Sequence, residues 1–153
     1  MQNKHCLICQ KHQEGEIPAI FQGQHTKLFH YHTSIDHPTM YKGHLFVESN
    51  RHISTFAELN DDEALEFGWL MAQASRILKQ MVNFEHLYSF TLGHLVNHLH
   101  MHLVPRYPGT PEEHWGGWKL HDWKEAPRLN QSEINAFSRE FAGKIPRPSS
   151  TDY

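Results

Sequence analysis

The chain is poor in the features that would take it outside the class of small single-domain proteins. Only two cysteines, Cys6 and Cys9, occur in 153 residues, so a disulfide framework is excluded as the source of stability. A pair separated by two residues in a reducing compartment points instead to metal binding or thiol redox chemistry. No apolar run approaches the roughly 18 residues of a spanning helix, and Met1-Gln2-Asn3-Lys4-His5 lacks the apolar centre of a signal peptide. These absences set the expectation of a soluble cytoplasmic protein with no membrane partner. Positive charge is not in excess either: 14 Lys and Arg face 17 Asp and Glu, a formal net charge of -3. The field that would draw a nucleic-acid backbone is therefore missing, and nucleic acid is not expected as a partner. A small anionic ligand remains compatible, because histidines can supply positive charge locally.

What the chain has in quantity is histidine, 15 residues in all, with three of them in the run His98-Leu99-His100-Met101-His102-Leu103-Val104. On a strand this alternation places the three rings on one face and Leu99, Met101 and Leu103 on the other. Three uses of such a row compete. As metal ligands, alternate rings lie about 7 Å apart along a strand, so one ion takes two of them more readily than three. As a catalytic group, the central His100 attacks an electrophile while its neighbours fix its tautomer and handle the leaving-group proton. As structure, they are exposed or core-satisfied histidines, or a chance cluster in a histidine-rich chain.

The surrounding pattern predicts a mixed α+β domain. Ala19 to Gln22 and Lys27 to His32 read as a hairpin around Gly23, Gly15 to Pro18 as a turn, and Ser34 to Lys42 as a loop. Gly43 to Glu48 reads as the next strand, with His44 and Phe46 on one face. Asn60-Asp61-Asp62-Glu63 is a capping-box pattern, and Phe67, Leu70, Ala74, Ile77, Leu78 and Met81 follow as a helical apolar stripe. His86 to Leu92 and His98 to Val104 read as neighbouring strands joined by a loop over Gly93 to Asn97. Pro105 is expected to end the second of them, since proline cannot donate to the ladder. Arg106 to Pro127 reads as irregular, with Trp115, Trp118 and Trp123 packing over an edge or on a dimer mate rather than stacking nucleobases. Asn130 to Glu133 starts a second helix carrying Ile134, Phe137 and Phe141, with Gly143 at its stop. One domain over residues 1–144 and a tail over 145–153 complete the expectation.

The run continues into Leu103-Val104-Pro105-Arg106, and this stretch resembles the signature of the histidine triad (HIT) superfamily of nucleotide hydrolases and transferases. Gly15-Glu16-Ile17-Pro18, Gly43-His44-Leu45-Phe46-Val47 and Arg51-His52-Ile53 with Leu59 to Glu63 resemble further segments of that family. The likeness extends from about Cys6 to Tyr107. It implies a five-stranded antiparallel sheet with a long helix and a C-terminal helix, a homodimer, and a nucleotide substrate of the dinucleoside polyphosphate or nucleoside phosphoramidate class. Carried over, His100 is the nucleophile that forms a nucleotidyl-histidine, with His102 and His98 as its catalytic partners. His44, Gly93, His94 and Asp36 become nucleotide-binding candidates, Asp36 for the ribose. His94 stands where the family often has glutamine, and Leu92 to His100 with Trp115-Gly116-Gly117 is closer to a bacterial subgroup. Some bacterial members bind zinc at positions matching Cys6, Cys9, His52 and His98, and no organic cofactor is implied. The competing readings are a zinc-containing nucleotide-binding or regulatory protein with little catalysis, and a metallohydrolase whose histidines activate water.

Overall fold

The computed structural model describes residues 5–146. The last seven residues of the expected tail lie outside them, and Ile145 packs against the main core. In chain order the elements are α1 (Leu7–Glu14), β1 (Phe21–Gln22), β2 (Thr26–His30), β3 (Met40–Tyr41), β4 (Leu45–Ser49), α2 (Asp61–Met81), β5 (His86–Phe90), β6 (His100–Arg106), β7 (Arg128–Leu129) and α3 (Gln131–Ala142). Five strands form an antiparallel sheet in the order β1-β2-β4-β6-β5, while β3 and β7 pair as a separate two-stranded sheet.

Local signals start the two larger helices. Asn60 Oδ1 accepts the Glu63 amide at 2.9 Å while Glu63 Oε2 accepts the Asn60 amide at 2.9 Å, so two otherwise orphaned donors are satisfied at the start of α2. Asp61, Asp62 and Glu63 add negative charge where the helix dipole is positive. The same reciprocal cap, Asn130 with Glu133, starts α3. Gly143 is its C-cap as expected, in a right-handed conformation.

Register sorts the sheet into two chemically different faces. Leu28, Val47 and Met101 lie opposite one another across β2, β4 and β6, as do Leu45 and Leu103. These residues share the main core with Phe67, Leu70, Ala74, Ile77 and Leu78 of α2 and with Phe137 and Phe141 of α3. The other face carries a row of rings, Phe29-Phe46-His102-Phe90, across four strands, with Glu48 opposite His100 beside it. One face is thus the hydrophobic core and the other is the site.

The structure corrects four expectations and adds one element that the sequence did not suggest. The segment after Cys6 forms α1, which ends at Gly15 in the left-handed region (φ 65°) where a side chain would be strained. The expected loop over Ser34 to Lys42 contains β3, and the expected irregular region contains short 3₁₀ turns at Glu112–His114 and Lys119–Asp122. His98 is not on the strand: Leu99 donates to the Ile53 carbonyl (2.6 Å) and accepts from the Ser49 amide (3.1 Å), and β6 begins only at His100. Pro105 does not end β6 but sits opposite Leu87 of β5. Its pairing with β4 has already stopped at Leu103, and the Tyr41 hydroxyl donates to the Pro105 carbonyl at 2.7 Å on that vacated side. The missing amide therefore costs no ladder bond.

Candidate active site and metal cluster

The three histidines of the run are divided between two sites. His98 Nε2 lies 2.7 Å from the Ser49 carbonyl, which can only accept, so this nitrogen carries the proton and Nδ1 keeps its lone pair. That lone pair faces Cys6 Sγ at 3.5 Å, Cys9 Sγ at 3.5 Å and His52 Nδ1 at 3.4 Å. Cys9 Sγ is also 3.5 Å from His52 Nδ1. A tetrahedral ion bonded at about 2.3 Å to sulfur and 2.0–2.1 Å to nitrogen has S···N edges of about 3.5 Å and N···N edges of about 3.4 Å. Four of the six edges therefore match such an ion, all four donor atoms lie within 4.8 Å of one another, and the four residues could hold a metal ion. For such an ion the Ser49 carbonyl would be the outer partner that orients the His98 ring. Burial is the main reason His98 is pushed down to about 4, so it is a neutral donor at pH 7.

Two residues on, His100 is arranged in the opposite sense. Its Nδ1 is 2.6 Å from the His98 carbonyl, so Nδ1–H donates and Nε2 is left with the lone pair. His100 lines two cavities. One, of about 460 Å³, is bounded by Leu7, Ile8 and Lys11 of α1 together with Ile17, Tyr31 and Phe46. The other, of about 330 Å³, is bounded by Gly93, His94, Leu95, His102 and Trp118. Beneath the larger cavity Glu48 is buried between Lys11 (2.5 Å) and His12 Nε2 (2.8 Å). Burial pushes the Glu48 carboxyl up, but His12 and Lys11 outweigh it and hold the group below its ordinary value, so the carboxylate is ionised.

The third ring, His102, is enclosed by aromatics and linked to a buried histidine. Phe90 stacks on it at 4.6 Å and 9°, and Phe46 meets it edge-on at 4.7 Å. His102 Nδ1 is 3.0 Å from His44 Nε2, and His44 Nδ1 is 2.9 Å from His121 Nε2. Trp118 stacks on His121 at 5.0 Å. Burial is the largest cause that lowers each of the three rings, His102 and His121 to about 4 and His44 well below its ordinary value.

Of the sequence candidates, His44, His100 and His102 come together, and Gly93 and His94 lie on the exposed loop that bounds the smaller cavity. Asp36 does not join them: it is exposed in the turn closed by Ser34 and His37, and neither cavity at His100 includes it. Lys11, Glu48 and His121 were not singled out by the sequence, and Trp118 was read only as an aromatic that packs over an edge or on a dimer mate. His121 sits in a non-periodic segment 77 positions from its partner, where no local pattern marks it. Among the described residues, the cluster with metal-ligand spacing includes His98 and leaves out His100 and His102, so the water-activating metallohydrolase arrangement is not assembled there.

The fold and site define a small α+β protein that carries His100 and His102 on the open face of a five-stranded antiparallel sheet. Residues 15–109 match the HIT domain family, and the chain belongs to that family. It is 32% identical over 113 residues, 70% of this chain and 83% of the relative, to an uncharacterized HIT-like protein of Methanocaldococcus jannaschii. It is 28% identical over 148 residues, 91% of this chain and 96% of the relative, to the protein named hit of Bacillus subtilis. Among solved structures, a hypothetical histidine triad nucleotide-binding protein of Sulfolobus tokodaii superposes with a TM-score of 0.67 at 17% identity, covering 91% of each chain. Members of the family act on nucleotides, and no helix among the described residues is long and apolar enough to cross a membrane.

Proposed function

We propose that this protein is a nucleotide hydrolase or nucleotidyl transferase that works through a covalent nucleotidyl intermediate on His100, on substrates of the dinucleoside polyphosphate or nucleoside phosphoramidate class. The observation that carries the reading is the 2.6 Å contact from His100 Nδ1 to the His98 carbonyl. It fixes the tautomer with a bare Nε2 in a cleft between two cavities, which is what a nitrogen nucleophile needs. Nε2 attacks the α-phosphorus, the bond to the leaving group breaks, and His102 supplies the leaving group's proton. Water then attacks phosphorus, the P–N bond breaks, and its electron pair returns to Nε2. A different acceptor in place of water makes the same enzyme a transferase.

The two cavities suit a displacement in which the parts of the substrate lie on opposite sides of the phosphorus. The larger one has an apolar lining of Leu7, Ile8, Ile17 and Phe46 suited to a nucleobase, and the smaller one, lined by His102, suits the leaving group. Zinc is the ion assigned to Cys6, Cys9, His52 and His98, because a mixed thiolate and imidazole set at tetrahedral spacing suits it. When bound, it ties α1 to the start of β6 as structure, and His100 remains outside its ligand set. We assign the protein to the cytoplasm, without nucleic-acid or membrane partners, as a homodimer. β5 is an edge strand with an open backbone ladder, a surface suited to a second copy.

The test compares wild type with His100→Ala on a diadenosine polyphosphate and on an adenosine phosphoramidate. Wild type is expected to show the nucleotidyl adduct on His100 by mass spectrometry after an alkaline quench, and the variant to lose turnover by at least about 10⁴-fold. Equal turnover by both would overturn the nucleophile. Tight nucleotide binding by wild type with no adduct and no product would instead make it a zinc-containing binding protein.

A further inference from the structure

We propose that His121 is a positioning residue for this reaction: through His44 it sets which nitrogen of His102 carries the proton, and the three rings relay a proton without forming an imidazolium. The inference rests on the assignment of His100 as nucleophile and His102 as its proton partner.

The three rings are joined in series, His121 Nε2 to His44 Nδ1 at 2.9 Å and His44 Nε2 to His102 Nδ1 at 3.0 Å. Both links are imidazole to imidazole. A neutral imidazole has one donor and one acceptor, so the two hydrogen bonds must run in the same direction. If His121 donates to His44, His44 donates to His102 and His102 presents Nε2–H to the cleft. In the reverse direction His102 donates from Nδ1 and presents a bare Nε2. His102 is thus an acid in one state and a base in the other, with no change in charge.

The two half-reactions use the two states in turn. As the leaving group departs it takes the proton from His102 Nε2. The His44 Nε2 proton moves to His102 Nδ1, the His121 Nε2 proton moves to His44 Nδ1, and His121 takes one proton from solvent at its own Nδ1. When water attacks the intermediate, its proton goes to His102 Nε2 and every shift reverses. His121 is the solvent end of the series, since it is half-buried where His44 and His102 are buried.

The enclosure explains why a relay is needed. His44 has no exposed surface, and Tyr31 (5.0 Å), Phe46 (4.9 Å) and Trp118 (6.2 Å) surround its ring. A positive charge there would be stripped of water, which is also the largest cause that lowers all three rings. Trp118 stacked on His121 and Phe90 stacked on His102 hold the end rings in orientation.

His121→Phe keeps a ring against Trp118 and removes both nitrogens; His121→Asn is the smaller polar alternative should the first fold poorly. The probes are an alkylamine phosphoramidate of AMP, whose amine must be protonated to leave, and the p-nitrophenyl ester of AMP, whose phenolate leaves unprotonated. The variants are expected to lose on the order of 10²-fold in kcat on the amidate and less than about threefold on the ester. Equal losses on both probes, or none on either, would overturn the relay. ¹⁵N shifts of His102 need no substrate: they are expected to move from averaged to single-tautomer values in His121→Phe, and unchanged shifts count against the proposal. A wild type that forms no His100 adduct would overturn the nucleophile, while the nitrogen shifts still decide whether His121 sets the His102 proton.

Discussion

The two ends of the His98–His102 run use the same side chain for opposite arrangements. At the His98 end, lone pairs from Cys6, Cys9, His52 and His98 converge on one point, all within 4.8 Å of one another. At the His102 end, His102, His44 and His121 are strung in a line, each nitrogen meeting one other. Burial holds His98 and His102 alike at about 4, so their intrinsic acidity does not distinguish them. The difference lies in the neighbours. Convergent lone pairs suit a cation, whereas rings in series suit a moving proton. Between them His100 takes its tautomer from the backbone of His98, so the cysteine-histidine end orients the proposed nucleophile through the main chain.

The largest effect expected on this comparison comes from removing one end. Cys9→Ser deletes a buried thiol that faces both His52 and His98. At metal about 1,000-fold above its dissociation constant, the bound ion stabilises the fold by about 4 kcal/mol. The variant is expected to lose stoichiometric zinc by elemental analysis and roughly 10 °C in Tm, while the ¹⁵N pattern of His44 and His102 stays as in wild type. A variant that keeps both its zinc and its Tm would remove Cys9 from the cluster. A changed His44 pattern would show that the two ends are not separable.

The second effect comes from acid. The folded protein keeps His44, His102 and His121 neutral, and His30, on the opposite face of the sheet, is likewise lowered to about 4 by burial. The unfolded chain binds protons near pH 6.5, so stability from these groups is complete above that value and falls as the pH drops toward 4. Each fully enclosed ring contributes a slope of up to about 1.4 kcal/mol per pH unit. His30 carries the full slope, and the partial exposure of His121 screens its share. Urea unfolding at pH 7, 6 and 5 is expected to show this decline in Cys9→Ser as in wild type, because these rings lie outside the metal cluster. A flat profile in the variant would assign the acid sensitivity to the metal ligands instead.

Legibility in the sequence follows the same division between local and distant causes. Both capping boxes and the α2 stripe were readable, because they are set by residues three and four positions apart. The site strands were readable through alternation, and the family resemblance pointed to Cys6, Cys9, His52 and His98 as candidate ligands and to His44 and His100 as candidate site residues. α1 was not, because Leu7–Glu14 has no side-chain cap and buries only Ile8 and Cys9. Its anchors are Glu48, 37 positions from Lys11, and the cysteine-histidine cluster. Pro105 misled because proline's cost depends on which side of the strand is paired, and a single strand does not reveal that. His121, and the place of Trp118 beside it, stayed hidden because the segment that carries them has no period.

The smallest predicted effect separates the geometry of the serial end from its mere presence. Gly117 lies against Phe90, and a Cβ there would come within 2.0 Å of Phe90 Cε1, in the ring that stacks on His102. Gly117→Ala must therefore push Phe90, and overpacking of this kind costs about 1–3 kcal/mol. If Phe90 only fills space, the variant loses stability and keeps the kcat ratio between the amine and p-nitrophenol probes. If Phe90 orients His102, the ratio shifts against the amine while zinc content is unchanged, and the second outcome is expected. Differential scanning calorimetry, elemental analysis and the two-probe ratio together decide it, because the Cys and His ligands all lie in other segments. A variant that also lost its zinc would show that the wall of aromatics around His102 supports both ends at once.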